Sequence, residues 1–273
     1  TYAKSPTTHG DLCDGVMACV AKAGTPLGET RLVKHGTTLV INALLQRAGA
    51  RTALLGNEGF RDILEIGRGN RAVPFDLAYR RAPPLVPREL RFEISGRMDA
   101  KGGEIAPLDL AGLEALAETL EGEAVEAVAI SFINSYAAPE QERAAAQALR
   151  RLLPGVYVSA GSELSGEWYE FERTSTAAAN AFVGPTMGAY LTGLAERLGS
   201  GGFQASLALM GSNGGLLSAE RAAARPVALV ESGPVGGCIG AASLAGALGL
   251  EHAIAFDMGG TTAKCALLDH GRF

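Results

Sequence analysis

The chain has 273 residues, with 24 Lys or Arg against 29 Asp or Glu, giving a net charge of −5. Nucleic-acid binding needs a clustered basic surface, which this charge pattern does not supply, and 47% apolar with 19% charged residues is the composition of a folded core, not of a disordered chain. Gly, Ser, Asn or a charge interrupts every long apolar run, so no membrane-spanning segment is expected; Cys13, Cys19, Cys238 and Cys265 have no metal-type spacing and follow no secretory peptide, so reduced thiols in a cytoplasm are expected.

In chain order, apolar spacing predicts a helix over 11–23 and a strand over 31–35 that runs into His35-Gly36-Thr37-Thr38. A helix over 38–47 carrying Asn42 follows, then a strand over 51–55 and a helix over 58–66. The stretch 67–88 is dense in proline and arginine (Arg68, Arg71, Arg80, Arg81, Arg88) and reads as an irregular surface excursion, its cations facing solvent, another subunit or an acidic partner. An edge strand is expected within 91–97. Helices over 110–120 and 139–153 alternate with strands over 124–132 and 156–160, two β-α repeats that predict a partly parallel sheet in an α/β chain. A long helical stretch over 170–198 is expected to bend or split at Gly184-Pro185, where proline removes a backbone donor. Next come a strand over 207–210, a short helix and a strand leading to Glu231, a helical stretch over 240–248 and a strand over 253–256. The expected division is 1–175 and 176–273, with the long helix as connector.

Four clusters have the residue types that chemistry needs. Asp257-Met258-Gly259-Gly260-Thr261-Thr262 lies between two apolar strands. Its glycines allow a turn whose N–H groups converge on an anion, its hydroxyls suit phosphate, and its carboxylate suits Mg²⁺; a plain hairpin turn is the alternative. His35-Gly36-Thr37-Thr38 sits where a strand becomes a helix, a natural place for an anion or a polarised carbonyl, with His35 as acid, base or donor. There the alternative is a Thr N-cap beside a packed histidine, and Asn42 one turn on is either a substrate contact or a buried hydrogen-bonding residue. Ser212-Asn213-Gly214-Gly215 reads as a cleft-lining loop or a turn. Glu231-Ser232-Gly233-Pro234-Val235-Gly236-Gly237 reads as close approach to a nucleotide or as helix packing, with Cys238 beside it an inert thiol. In Glu170-Phe171-Glu172-Arg173-Thr174-Ser175-Thr176, a surface Glu170–Arg173 pair worth about 0.3–0.5 kcal/mol competes with a polar helix face that reaches a substrate cleft.

Asp257-Met258-Gly259-Gly260-Thr261-Thr262-Ala263-Lys264 resembles the phosphate-binding hairpin of the actin, sugar-kinase and heat-shock chaperone ATPase superfamily. With HGTTLVINALLQRAGARTALLGNEGFRDILEIGR (35–68), PLVPR (84–88), AVAISFINSYAAPEQE (127–142), EFERTSTAAANAF (170–182), MGSNGGL (210–216) and ESGPVGG (231–237), it is similar, collinearly, to the hydantoinase A / 5-oxoprolinase family. The resemblance implies partial actin-like (ribonuclease H-like) lobes, a mixed sheet with flanking helices, and ATP-dependent opening of a cyclic amide such as a hydantoin or 5-oxoproline. The same family supplies subunits of acetone and acetophenone carboxylases. ATP and Mg²⁺ are the implied cofactors, and a B-type subunit is the implied partner. Asp257 is then the metal-holding residue; Gly259, Gly260, Thr261, Thr262, Lys264, Ser232, Gly233, Gly236 and Gly237 contact nucleotide. His35 and Thr37 polarise the substrate, and Thr38, Asn42, Asn213 and Gly214 contact it. Family members carry a first hairpin of the form D-x-G-G-T-F-T-D ahead of the segment matching residues 1–6 and continue past the second. The expectation is therefore of a piece of a longer protein that holds half of a phosphate clamp and does not turn over ATP alone. Lys264 stands where many hydantoinase-type members have an acid, which leans towards the carboxylase subgroup.

Overall fold

A computed structural model describes residues 1–8, 10–71, 73–258 and 263–273. The chain forms two compact units, one of Ala43–Thr186 and one of Thr1–Asn42 with Met187–Phe273. Each passage between them falls within a helix, Leu39–Gln46 and Glu170–Ser200.

The Ala43–Thr186 unit is built on a four-stranded parallel sheet in the order Arg91–Ile94, Thr52–Asn57, Ala127–Ile130, Tyr157–Ala160. All residues of the two central strands are buried, the pattern of parallel strands covered on both faces. Leu110–Gly122 starts at Asp109, whose carboxylate accepts the Gly112 N–H, and it buries Leu113, Leu116 and Leu120. Glu140–Leu152 buries Ala145, Ala146 and Leu149, while Ala177, Ala178 and Ala181 of the long helix join the same core. The edge strand is found at Arg91–Ile94, and 67–88 is irregular among its described residues. Its arginines are not all free: Arg88 grips Asp62 at 2.9 and 3.0 Å and Arg68 pairs with Glu172. The Arg88 guanidinium holds the Asp62 carboxyl below the usual range.

Several expectations are corrected here. The helix predicted over 58–66 shrinks to Ile63–Ile66, because the chain first turns through Gly59 at φ 81°. Glu170–Ser200 is one helix of 31 residues with Pro185 inside it, neither split nor ended at Gly184-Pro185. The Glu170–Arg173 pair is no surface pair: the Arg173 side chain is fully buried, donating to the carbonyls of Glu167 at 2.7 Å and Phe132 at 2.8 Å as well as to Glu170. Gly184 has a packing task, since a Cβ there would overlap the ring of Tyr157. Gly184→Ala is accordingly expected to lower stability by about 1–3 kcal/mol, although helix propensity alone favours alanine by about 1 kcal/mol. A urea midpoint that rises in this variant would refute the packing account.

In the other unit, Leu32–His35 pairs in parallel with Ser206–Met210, which pairs antiparallel with Leu216–Ser218. Leu12–Ala23 is capped by Asp11, whose carboxylate accepts the Cys13 N–H at 2.9 Å and is held below its usual range chiefly by that bond. Gly24 closes the helix at φ 65°. Arg197 pairs with both Asp11 and Asp14, and Cys13 packs with Leu194, Leu198 and Phe203. The strand expected before Glu231 is instead a 3-10 turn, Pro226–Leu229, continued by the helix Ser232–Ala247, so the ESGPVGG segment opens a helix. One stretch, Pro226–Ala247, is long and apolar enough to cross a membrane by length and composition alone, with an 18-residue window of mean hydropathy 1.4. The helix packs along the antiparallel hairpin His252–Met258 and Ala263–Asp269.

Candidate active site

The strand Leu32–His35 delivers His35 to the start of a helix whose first turn is held locally: the Leu39 N–H donates to Thr37 Oγ1 at 3.1 Å, and Asn42 Nδ2 donates to Thr38 Oγ1 at 3.2 Å. His35, Thr37, Thr38 and Asn42 therefore line one groove of about 530 Å³. Its opposite wall comes from Leu12, Val16 and Cys19, and Tyr190 of the long helix completes it. Tyr190 Oη lies 2.7 Å from His35 Nε2. Burial pushes the His35 imidazole below 6.5 and the Tyr190 phenol up to about 12, so at neutral pH both groups are uncharged and one proton is shared between them.

Ser232 fastens this turn to the next motif. Its buried hydroxyl donates to the Thr37 carbonyl at 2.9 Å, and the Thr37 N–H reaches back to Ser232 Oγ at 3.4 Å. Gly233 comes close to Thr38: a Cβ there would stand 3.2 Å from Thr38 Cγ2. Gly233 and Gly236 share a cleft of about 110 Å³ with Lys34, His35 and Gly36. On the hairpin side, Gly233 and Gly237 join Glu231, Asp257 and Lys264 around a second groove of about 650 Å³. Lys264 Nζ is paired with the Glu231 carboxylate, while Asp257, in register with Lys264 across the hairpin, is exposed. The expected phosphate contacts Gly259, Gly260, Thr261 and Thr262 lie outside the described residues. Asp257 offers one hard oxygen donor at the end of its strand, and that fits a Mg²⁺ that takes its remaining ligands from phosphate and water.

Asn213 and Gly214 are placed elsewhere. The Asn213 carboxamide accepts the Gly215 N–H at 3.0 Å, Gly214 turns at φ 80°, and neither residue lines the grooves of His35 or Asp257. The Ser232 hydroxyl is engaged with the Thr37 carbonyl. Sequence reasoning missed Tyr190, which is separated from His35 by 155 residues and carries no local signal. It also passed over Glu231 as the partner of Lys264, although the two stand in motifs already singled out.

A hairpin set along a glycine-rich helix in a mixed α/β unit belongs to an actin-like fold. The likeness extends to solved structures: an acetone carboxylase free of nucleotide superposes with a TM-score of 0.87 at 25% identity, covering 99% of this chain and 41% of that one. An ATP-dependent caprolactamase from Pseudomonas jessenii superposes with a TM-score of 0.81 at 33% identity, covering 96% and 40%. The chain belongs to the hydantoinase/oxoprolinase family, whose N-terminal-region model matches residues 1–153 and whose hydantoinase/oxoprolinase model matches 173–273. The caprolactamase subunit alpha of Pseudomonas jessenii is 34% identical over 98% of this chain, which spans 40% of that relative's length.

Proposed function

We propose that this chain is the substrate-binding and phosphate-hairpin part of an ATP-dependent enzyme that opens a cyclic amide. One observation carries the reading. The Ser232 hydroxyl ties the His35 turn to the helix start that also borders Asp257 and Lys264, so the proposed substrate groove and phosphate hairpin adjoin one segment of a single unit. In the proposed reaction the amide oxygen attacks the γ-phosphorus of ATP and ADP leaves. Water then adds to the activated carbon and the ring C–N bond breaks to leave an acyl phosphate; a second water releases phosphate from it, so that lactam, ATP and two waters become amino acid, ADP and phosphate. His35 and Thr37 hold and polarise the amide. Asp257 holds Mg²⁺, which supplies charge neutralisation at the phosphates when bound. Relatives named as subunits support a partner subunit, and four free thiols suit a reducing cytoplasm.

In the full-length enzyme, Asp257→Ala is expected to lower cyclic-amide-dependent ATP hydrolysis by about 10–100-fold, on the scale of losing one tuned metal contact. Undiminished hydrolysis would remove Asp257 from the metal site. A second reading, a subunit of a ketone carboxylase, is favoured by Lys264 in place of an acid and by the likeness to acetone carboxylase. Carboxylated product from acetone, bicarbonate and ATP, with no opening of any lactam, would establish it over the first.

A further inference from the structure

The groove at His35 also bears on which cyclic amides fit, given the cyclic-amide reading above. It is lined by the hydroxyl residues Ser5, Thr7, Thr37, Thr38 and Tyr190, by Asn42 and by apolar side chains, and among its described lining residues there is no Asp, Glu, Lys or Arg. We infer that this groove selects an uncharged ring, an unsubstituted lactam or hydantoin, and rejects rings that carry a carboxylate, such as 5-oxoproline. A carboxylate taken out of water needs a paired cation or several N–H donors. Arg197 is paired with Asp11 and Asp14 and Lys264 with Glu231, Lys22 donates to the Lys4 carbonyl, and neither Lys4 nor Lys22 lines the groove. Lys34 borders the smaller cleft on the Ser232 side and does not line this groove. At the helix start the Thr37 N–H is spent on Ser232 and the Leu39 N–H on Thr37. His35 adds no positive charge at neutral pH, since burial keeps it neutral. A neutral ring instead finds what it needs here: donors for one carbonyl oxygen, an acceptor for one ring N–H, and apolar contact for its methylenes.

The test uses the full-length enzyme and matched pairs that differ only by the acid group: 2-pyrrolidone against 5-oxoproline, and hydantoin against hydantoin-5-acetate, with ring opening and ADP release measured together. The neutral member of each pair is expected to have a kcat/KM higher by about 100-fold or more, the scale on which a site rejects a group it leaves unpaired. Asn42→Lys, which places a cation in the groove, is expected to shift that ratio towards the acids by about tenfold. Equal or better turnover of the acids by the unmodified enzyme would overturn the inference and leave the cyclic-amide reading standing. Failure of all four rings to be opened would overturn that reading, and the inference with it.

Discussion

Arg173→Ala is expected to lower the stability of the Ala43–Thr186 unit by about 3–5 kcal/mol, the cost of breaking a buried charge network by removing one partner. The side chain is fully buried, and its guanidinium joins three separate places: the Glu167 carbonyl at 2.7 Å, the Phe132 carbonyl at 2.8 Å and the Glu170 carboxylate. Truncation takes the donor from the buried Phe132 carbonyl and from the part-buried Glu167 carbonyl, leaves the partly exposed Glu170 carboxylate without its cation, and opens a cavity beside Gly161, whose position already lies against the arginine stem. For a unit of this size the loss corresponds to a fall in Tm of roughly 10 °C, or a matching shift in the urea midpoint. A loss below about 1 kcal/mol, the value of an exposed pair, would show that the network carries no load.

His35→Ala in the full-length enzyme is expected to cut turnover by about 10²–10⁴-fold, the range for removing a positioned acid–base group, with nucleotide binding retained. The pH dependence gives a second readout. Burial holds the folded imidazole below 6.5, so the neutral form persists at neutral pH and the acid limb of kcat/KM falls below 6.5. Stability follows the same sign. Above 6.5 neither folded nor unfolded His35 is protonated and nothing is lost; as pH falls through 6.5 the unfolded chain takes up a proton that the folded one refuses, so stability declines on the acid side. Tyr190→Phe removes the 2.7 Å contact to Nε2 but leaves the apolar burial, and should lower kcat more than it raises KM. An acid limb centred above 6.5, or full activity in His35→Ala, would take the imidazole out of the chemistry.

Much of the architecture was legible because it rests on local periodicity. The strands Ala127–Ile130 and Tyr157–Ala160 and the helices beside them follow apolar spacing, and the hairpin His252–Met258 and Ala263–Asp269 follows two alternating runs around a glycine pair. The gathering of His35, Thr37, Thr38 and Asn42 was legible for a similar reason, since a strand end and one helical turn bring neighbours in sequence to one side. What escaped was set by tertiary partners. Helical spacing pairs Arg173 with Glu170 but is blind to the carbonyls of Phe132 and Glu167, which decide its burial. Pro185 signals a break, yet Glu170–Ser200 runs through it as one helix. The Ser232–Thr37 tether joins residues 195 apart, and nothing in either motif announces the other.

The parallel pairing of Leu32–His35 with Ser206–Met210 sets an order on biogenesis. During synthesis the strand that carries His35 leaves the ribosome early, but its sheet cannot close until the partner strand has been made. The Ala43–Thr186 unit, continuous in sequence, is complete before then. The segment bearing the candidate catalytic histidine thus waits for that partner through the synthesis of an entire intervening unit, and domain-by-domain folding puts that unit first. A nascent chain stalled between those two points holds a finished Ala43–Thr186 unit and a His35 strand whose partner Ser206–Met210 has still to be made.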